Sequence, residues 1–290
     1  MLEQTGLVLE GGGMRGVYTA GVLEVLLENN IEFPYVIGVS AGACNAASFL
    51  SRQHGRNKKV NIEYAAHPEY LSFRNYIKKK ELFGMDFVFG TIPNELVPYD
   101  YAAFHQNPTE FMIGTTDCHT GKPLYLSRND YKEDLLLALR ASSSLPLISP
   151  MVMFNGKELM DGGITDSIPL KQAEKDGFDK NVVILTRNEG YYKKPSKFTS
   201  VIHYKYGRFY PNLVQAIENR YDHYNQAIKE IERKEKAGEI FVIRPTLPLK
   251  VGRVEKNQKK LKDLYMKGYN DGKKALPTLL KWSEKNNVPS

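Results

Sequence analysis

The feature that most constrains the fold is a short apolar run that ends in a serine between two glycines. Val36-Ile37-Gly38-Val39-Ser40-Ala41-Gly42 begins as a β-branched strand, and small residues up to about Leu50 predict a helix directly after it. A strand that turns sharply into a helix around Gly-x-Ser-x-Gly presents a serine hydroxyl at the edge of a sheet. Gly38 and Gly42 suit this turn because a Cβ there would collide across it. The stretch therefore predicts an α/β fold with a candidate nucleophile, Ser40.

A second glycine-rich turn lies near the N-terminus. The apolar strand Gly6–Glu10 leads into Gly11-Gly12-Gly13-Met14-Arg15-Gly16, and a mostly buried helix is predicted from Val17 to Asn29. Three consecutive glycines leave their N–H groups unobstructed at a helix start, which suits an oxygen anion. Arg15 either adds a positive charge at this place or fastens the loop to a carboxylate.

Gly11, Gly13 and Gly16 also match the Gly-x-Gly-x-x-Gly pattern of dinucleotide-binding proteins. That function requires an acidic residue at the end of the second strand to hold the ribose hydroxyls. The second predicted strand ends in Ser40 instead, and Glu32 lies before this strand. The dinucleotide alternative is therefore unfavourable.

A carboxylate follows the strongest hairpin signal in the chain. Met151–Phe154 and Glu158–Met160 flank Asn155-Gly156 and are predicted to pair as antiparallel strands. Asp161-Gly162-Gly163 follows directly, so two glycines behind the carboxylate permit close approach to another backbone. An ordinary Asx-turn is the alternative interpretation.

The rest of the chain shows neither repeats nor a clear linker, and we expect a single domain. Residues 64–101 are rich in aromatic side chains and prolines without a clean period, and they predict a cover over one side of the sheet. Further predicted elements are strands at Phe111–Thr116, Pro123–Leu126, Asn181–Thr186 and Ile240–Ile243, and helices at Asp130–Ala141 and Asn212–Lys236.

The charge of the chain is unevenly distributed. Of its net +7, residues 1–170 contribute 14 basic and 19 acidic side chains, whereas residues 171–290 contribute 26 basic and 14 acidic ones. A solvated surface is the simpler interpretation, and peripheral contact with an anionic membrane is the alternative. We expect no nucleic-acid partner.

The cysteine count and the hydropathy pattern bear on the compartment. Two cysteines, Cys44 and Cys118, are too few for a disulfide framework and lack metal-ligand spacing. The sequence shows neither a secretory signal nor an apolar run of membrane-spanning length. We therefore expect a cytoplasmic protein.

The glycine loop, the Ser40 motif and Asp161-Gly162-Gly163, in this order, resemble the patatin-like phospholipase family. Ala141-Ser142, with Pro146 and Pro150 after it, is similar to a further signature of the family, and the resemblance runs from Gly6 to about Leu185. It implies a three-layer α/β/α sandwich with a mostly parallel central sheet. The implied catalytic core covers residues 1–186, with a basic C-terminal part, residues 187–290, packed on it.

The resemblance also implies the chemistry. The family hydrolyses acyl esters in lipids, so a carboxylic ester hydrolase of phospholipase A or lysophospholipase type is expected, with a lipid or ester substrate. Ser40 would be the nucleophile and Asp161 its base, while Gly11, Gly12 and Gly13 with Arg15 would form the oxyanion hole. No cofactor or metal is expected.

Two alternatives to this Ser–Asp hydrolase stay open on the residues alone. A Ser-His-Asp triad needs a histidine, and only His203 and His223 lie after Asp161, neither of them in a turn-like setting at a strand end. A lipid- or membrane-binding protein of the same fold with little turnover is the other alternative, and the basic C-terminal part favours it. The acyl chain, the head group and the oligomeric state do not follow from the sequence.

Overall fold

The computed structural model describes Leu2, residues 4–132 and residues 134–285. The expected core of residues 1–186 and the basic part of residues 187–290 therefore include positions outside the described residues, namely Met1, Glu3, Glu133 and residues 286–290.

A mixed β-sheet forms the centre of the molecule. In the described chain its strands follow the order β5-β6-β3-β2-β1-β7-β8, with β4 on β3. The pairs from β3 through β2, β1 and β7 to β8 are parallel, whereas β4, β5 and β6 pair antiparallel. The strands are β1 (Thr5–Leu9), β2 (Tyr35–Val39), β3 (Glu110–Asp117), β4 (Pro123–Leu126), β5 (Val152–Phe154), β6 (Lys157–Asp161), β7 (Lys180–Ile184) and β8 (Phe241–Ile243).

Helices cover both faces of this sheet. They are α1 (Val17–Glu28), α2 (Ala41–Leu50), α3 (Arg56–Lys58), α4 (Phe73–Lys79), α5 (Tyr101–Gln106), α6 (Arg128–Tyr131), α7 (Leu135–Ser142), α8 (Leu170–Lys175), α9 (Thr199–Tyr206), α10 (Pro211–Lys236) and α11 (Gln258–Lys285). Short 3-10 turns span Gly13–Gly16 and Gly162–Ile164, and π-helical segments span Lys59–Glu63 and Phe87–Leu96.

The core divides into layers because neighbouring strand residues point to opposite faces. Leu7 and Leu9 of β1 pack with α1, α2, α7 and α11, whereas Val8 between them packs with α8 and α10. Each face of the sheet is thus buried under helices, as a parallel sheet requires. The expected α/β/α sandwich is confirmed, and its sheet is mixed, with antiparallel pairing at one end.

The last long helix packs directly on the first. A Cβ on Gly21 of α1 would collide with the Tyr265 carbonyl oxygen, and a Cβ on Gly268 of α11 would collide with that of Tyr18. The two backbones approach this closely only because both positions are glycine. The Tyr18 hydroxyl also donates to Asp271 at 2.9 Å. None of the described helices is long and apolar enough to cross a membrane.

One predicted helix differs from the structure. Residues 130–141 were expected to form a single helix, but α6 ends at Tyr131 and α7 begins at Leu135. Ser127 and Asp130 form a reciprocal capping box that starts α6 early. Lys132 then adopts φ 28°, outside the right-handed helical region, so the chain turns before α7.

Candidate active site

The central serine occupies a strained turn between a parallel strand and a helix. Ser40 lies between β2 and α2 with φ 54° and ψ −124°, a costly conformation for a non-glycine residue and one that clusters at functional sites. A Cβ on Gly38 would lie 2.7 Å from the Ala43 nitrogen, and one on Gly42 would lie 2.6 Å from the Leu9 carbonyl oxygen. Ser40 is 7% exposed, so this tight turn presents a small, partly accessible hydroxyl.

Strand β3 brings Asp161 to this serine. Gly114 of β3 pairs with Val39 at the end of β2, and the next residue, Thr115, pairs with Asp161 at the end of β6. The ends of β2 and β6 therefore meet at one point of the sheet. Ser40, one residue beyond Val39, lies beside Asp161, and both residues line the same small cleft. Interaction with Ser40 is among the effects that oppose the rise in the pKa of Asp161.

Asp161 occupies an enclosed environment and is 2% exposed. Its Oδ1 accepts the Gly163 N–H at 2.7 Å. Burial raises the pKa of the Asp161 carboxyl above the ordinary value, against the opposing effects of the Arg220 charge and the hydrogen bonds from Ser40 and Gly163. A carboxyl with a raised pKa binds a proton more strongly than an exposed aspartate, which suits a general base.

Ser142 connects the Ser40 turn between β2 and α2, here called the elbow, to β3 through hydrogen bonds. Its hydroxyl donates to the Gly114 carbonyl at 2.6 Å and accepts the Ser40 N–H at 2.8 Å. Two residues on, the Ser144 carbonyl accepts the Asp161 N–H at 2.8 Å. The segment after α7 therefore contacts both candidate residues. Sequence reasoning noted Ala141-Ser142 only as a signature, and its role follows from these contacts.

The glycine loop lies against the elbow, since a Cβ on Gly11 would be 3.3 Å from the Ser40 Cβ. The Gly11 N–H donates to the Ser167 carbonyl at 3.2 Å. It is therefore not free to bind an oxyanion, which corrects the expectation that all three glycines would donate. Within the described residues, the N–H groups of Gly12 and Gly13 have no acceptor. These two donors remain available.

The Arg15 side chain lies outside the pockets that contain Ser40. It is 4% exposed and has Arg187 and Glu10 as its strongest charged neighbours. Burial, and then the Arg187 charge, lower the pKa of its guanidinium to about 10. The Arg15 side chain therefore belongs to a group of charges beside the glycine loop, and its expected place in the oxyanion hole stays a prediction.

The remaining motif glycines permit close contacts. A Cβ on Gly16 would lie 2.7 Å from the Ala41 Cβ, and one on Gly163 would lie 2.9 Å from Asp161 Oδ1. A Cβ on Gly162 would collide with the Gly114 carbonyl oxygen. Larger residues at these positions would separate the strand ends that meet at the site.

A large apolar pocket opens on one side of Ser40. Its empty volume, with its open mouth, is about 970 Å³. The expected cover, residues 64–101, supplies much of its wall, and α7 supplies part of the rest. Apolar lining side chains include Tyr70, Phe83, Met85, Val88, Phe89, Ile92, Leu136 and Leu139. Ser40 is among the lining residues, so an apolar chain inside the pocket would lie beside its hydroxyl.

The histidines lie away from Ser40. None of the six, all of which the structure describes, lines a pocket that contains Ser40. His203 Nε2 pairs with Glu218 Oε1 at 2.9 Å, and His119 Nε2 pairs with Glu158 Oε2 at 2.8 Å. The exposed His223 lies on α10 with Asp166 among its charged neighbours. The described geometry therefore provides no Ser-His-Asp arrangement. Among the described residues, no group of three or more His, Cys, Asp and Glu could hold a metal ion.

An elbow serine beside a buried carboxylate, in a three-layer α/β fold, is typical of the lipid acyl hydrolases. The patatin-like phospholipase model matches residues 7–174, and the chain belongs to this family. It is a lipid acyl hydrolase, in the class of carboxylic ester hydrolases. A second model, a domain of unknown function (DUF6363), matches residues 210–284.

Individual relatives differ in how much of their length this chain covers. YjjU of Escherichia coli (strain K12) is 29% identical over 256 residues, which are 84% of this chain and 69% of that protein. The lysophospholipase NTE1 of Phaeosphaeria nodorum is 27% identical over 61% of this chain and 12% of its own length, and that of Meyerozyma guilliermondii is 29% identical over 60% and 12%. The crystal structure of VipD from Legionella pneumophila is 12% identical with a TM-score of 0.48, covering 94% of this chain and 67% of that one.

Proposed function

We propose that this chain cleaves acyl ester bonds of lipids with Ser40 as the nucleophile and Asp161 as its base. The observation that carries the proposal is the register of β3, in which the neighbouring residues Gly114 and Thr115 pair with the ends of β2 and β6. This register supports direct proton transfer between the two side chains, because reacting groups must lie within hydrogen-bond reach.

The reaction would proceed in two halves. Asp161 accepts the Ser40 proton as Ser40 Oγ attacks the ester carbonyl carbon, and the carbonyl oxygen becomes an oxyanion. The C–O bond to the alcohol breaks, the alcohol takes the proton from Asp161, and the acyl group remains on Ser40. Water then attacks the acyl-enzyme, gives a proton to Asp161, and releases the fatty acid as Ser40 recovers its proton.

We assign the oxyanion hole to the N–H groups of Gly12 and Gly13. Both lack an acceptor within the described chain, and both glycines line the cleft that contains Ser40. Donors held by the fold stabilise the developing negative charge without having to reorganise during the reaction.

The large pocket supports an acyl chain as the part of the substrate that is buried. Burial of each methylene in apolar surroundings contributes roughly 0.8 kcal/mol, so a wall of aromatic and aliphatic side chains favours long chains. Relatives from two fungi are named lysophospholipases. We propose a substrate with a single acyl chain, of the lysophospholipid type.

A fluorophosphonate probe tests the nucleophile. It should label Ser40 alone among the serines, because only an activated hydroxyl attacks readily. Ser40→Ala should abolish labelling and ester turnover, whereas Ser143→Ala, which removes a neighbouring hydroxyl in the same pocket, should retain both. Labelling that persists in Ser40→Ala would assign the nucleophile to another residue.

We also propose peripheral contact with an anionic membrane through a surface around α9, within a cytoplasmic setting that the two free cysteines favour. Large apolar side chains are exposed there next to exposed cations. This α9 surface comprises Phe198, Val201, Tyr204 and Phe209 with Lys194, Lys197, Lys205 and Arg208. The Leu147 N–H donates to the Tyr206 hydroxyl at 3.1 Å, so α9 lies near Leu145, which lines the pockets at Ser40.

Vesicle co-sedimentation tests the α9 surface. Tyr204→Ser with Phe209→Ser should weaken binding to anionic vesicles, and raised salt should weaken wild-type binding because it screens exposed charges. Met153→Ser, which removes an exposed apolar side chain from β5, is the control and should bind like wild type. Equal, salt-independent binding to neutral and anionic vesicles would contradict the proposal.

The basic C-terminal part remains, in this proposal, packed on the catalytic core. Contact of α11 with α1 through Gly268 and Gly21 supports one unit rather than two separable domains. The boundary near residue 186 is a prediction from the sequence.

A further inference from the structure

A second, smaller cleft adjoins Ser40 on the side of the glycine loop and Asp161. It is lined by Gly11, Gly12, Gly13, Ser40, Leu145, Asp161, Gly163, Ser167, Arg220 and Arg253. Two arginines thus line the cleft that contains the candidate nucleophile. Neither arginine belongs to the segment that matches the patatin-like family, residues 7–174.

These two arginines are part of a larger group of buried and half-buried cations. The strongest electrostatic neighbours of Arg220 are Arg253, Asp161 and Arg15. For Lys193 they are Arg220, Glu10 and Arg253, and for Arg15 they are Arg187, Glu10 and Arg253. The cationic cluster therefore comprises Arg15, Arg187, Lys193, Arg220 and Arg253, with Glu10 and Asp161 as the carboxylates among these strongest neighbours.

Positive charge in this cluster lacks close compensation. Among the residues that the structure describes, no carboxylate lies within ion-pair distance of any of its five members. The Nε atoms of Arg15 and Arg187 are buried without a hydrogen-bond partner, and so is the Thr186 hydroxyl beside Gly12. Arg15 itself is 4% exposed. Buried charges without partners are costly, and an anion bound in the neighbouring cleft would offset part of that cost.

The side chains around the cleft hold the cations in place. The Lys193 ammonium donates to Ser167 Oγ at 3.0 Å and lies 3.5 Å from the centre of the Tyr224 ring. Burial, and then the Arg220 charge, lower the pKa of Lys193 well below its ordinary value. Burial, and then the Arg253 charge, lower that of Arg220 to about 9. Both shifts result from burial together with the crowding of like charges, and a bound anion would oppose them.

We propose that this cleft binds a phosphate group, with Arg253 and Arg220 as its direct ligands and Lys193 and Ser167 beside them. A planar guanidinium matches a phosphate in two parallel hydrogen bonds. The inference rests on the proposed function and specifies its substrate class: an ester whose acyl chain occupies the apolar pocket and whose phosphate head group occupies the cleft. In a lysophospholipid the glycerol unit joins the ester to the phosphate, so the acyl chain and the head group can occupy the two neighbouring recesses that both contain Ser40.

Arg253→Met is the variant that tests the cleft. Arg220 is less suitable, because its Nε donates to the Gly163 carbonyl in the turn that orients Asp161. Arg253 contacts the loop through its backbone carbonyl, which accepts the Met14 N–H at 3.1 Å and is retained in the variant. Arg233→Met removes an exposed cation from α10, away from the cleft, and is the matched control.

The experiment compares kcat/KM for a lysophospholipid and for a monoacylglycerol with the same acyl chain. The ratio of the two should fall about tenfold or more in Arg253→Met, the effect of losing a charged hydrogen bond to the phosphate. Arg233→Met should keep the wild-type ratio. An unchanged ratio in Arg253→Met, with both substrates hydrolysed, overturns the head-group site and leaves Ser40 catalysis intact. Failure of the proposed function is distinct, since neither substrate would then be hydrolysed in a Ser40-dependent way.

Inorganic phosphate distinguishes a head group from a free anion. Thermal stabilisation of Ser40→Ala by inorganic phosphate should be lost in the double variant with Arg253→Met. Stabilisation that depends on Arg253 together with the changed substrate ratio supports a head-group site. Stabilisation with an unchanged ratio overturns it in favour of a free-phosphate site. Absence of both effects overturns a phosphate site altogether.

Discussion

The two recesses that contain Ser40 differ in character, and only the smaller one includes residues from the C-terminal part of the chain. The apolar pocket is built between residues 13 and 145, within the segment that matches the patatin-like family. The cationic cleft takes Arg220 and Arg253 from the C-terminal part, which also gives the chain its positive charge. An apolar wall selects by length and volume, whereas guanidinium groups select by charge and geometry. Substrate choice would thus be divided between two regions that meet at one serine.

Loss of the base Asp161 should abolish turnover of every ester substrate, whichever recess its parts occupy. Asp161→Asn keeps the shape of the side chain and removes its basicity, so kcat should fall roughly 10³-fold or more for neutral and phosphate-bearing esters alike. Combination with Ser40→Ala should add little, because paired groups act as a unit. Steady-state kinetics on folded variants checks this. His203→Ala and His223→Ala are the controls, and a comparable loss in either would favour a triad.

The oxyanion donors come next in expected size. Gly12→Val introduces a Cβ that would lie 3.0 Å from Thr186 Oγ1, so the loop must shift. Its N–H groups would then no longer point at the oxyanion. The expected loss in kcat is about 10²-fold, the scale for one donor, with both substrate types affected equally. Gly90→Val, where a Cβ would meet no atom within 4 Å, is the control. Near-normal kcat in a folded Gly12→Val would place the donors elsewhere.

Filling the apolar pocket should change the preference for acyl chain length and leave the preference for the head group unchanged. Wild-type kcat/KM should rise about fourfold per methylene until the pocket is full, as expected for apolar burial. Val60→Trp adds bulk to the lining, so long-chain esters should lose about tenfold relative to short-chain ones. Leu137→Trp changes an exposed residue on α7 and should leave the chain-length profile unchanged. A parallel loss for all chain lengths would show general damage instead.

The smallest expected effect is a shift of the pH profile. Protonated Asp161 cannot act as a base, so kcat/KM for a neutral ester should fall as pH decreases through the pKa of Asp161, which burial raises above the ordinary 3.8. Arg220, the Ser40 hydrogen bond and Arg253 oppose this rise. Arg253→Met removes one opposing charge, so the acid limb should move to higher pH. If the acid limb stays at its wild-type position in Arg253→Met, the Arg253 charge does not influence the pKa of Asp161. Arg233→Met is the control.

Local sequence determined the parts of the site. The apolar run into Gly38-Val39-Ser40 predicts its elbow because a tight turn requires small neighbours within a few residues. Asn155-Gly156 predicts the β5-β6 hairpin, because the type of a two-residue turn is set by the backbone dihedral angles that these two neighbouring residues can adopt. The strand-glycine-helix pattern at Gly11–Gly16 is equally local. These features could be predicted because their causes lie close together along the chain.

Other features depended on contacts that no local pattern contains. The helix predicted at residues 130–141 breaks because Ser127 and Asp130 cap α6 and the chain turns at Lys132. The Gly11 N–H is unavailable because Ser167, more than 150 positions away, accepts it. The family resemblance places Arg15 in the oxyanion hole, whereas the folded chain gives it Arg187 and Glu10 as its strongest charged neighbours.

The sequence by itself determined the fold class, the Ser40 elbow, the glycine loop and the carboxylate at the end of a hairpin, because each depends on short-range sterics and hydrophobic periodicity. Only the tertiary structure decided that Asp161 lies beside Ser40, since strand register is set by packing across the sheet. It also decided which loop N–H groups are free, and that Arg220 and Arg253 line the same cleft as the serine. Such long-range contacts depend on how segments far apart in the sequence pack together and balance each other's charges, and this is known only once the chain is folded.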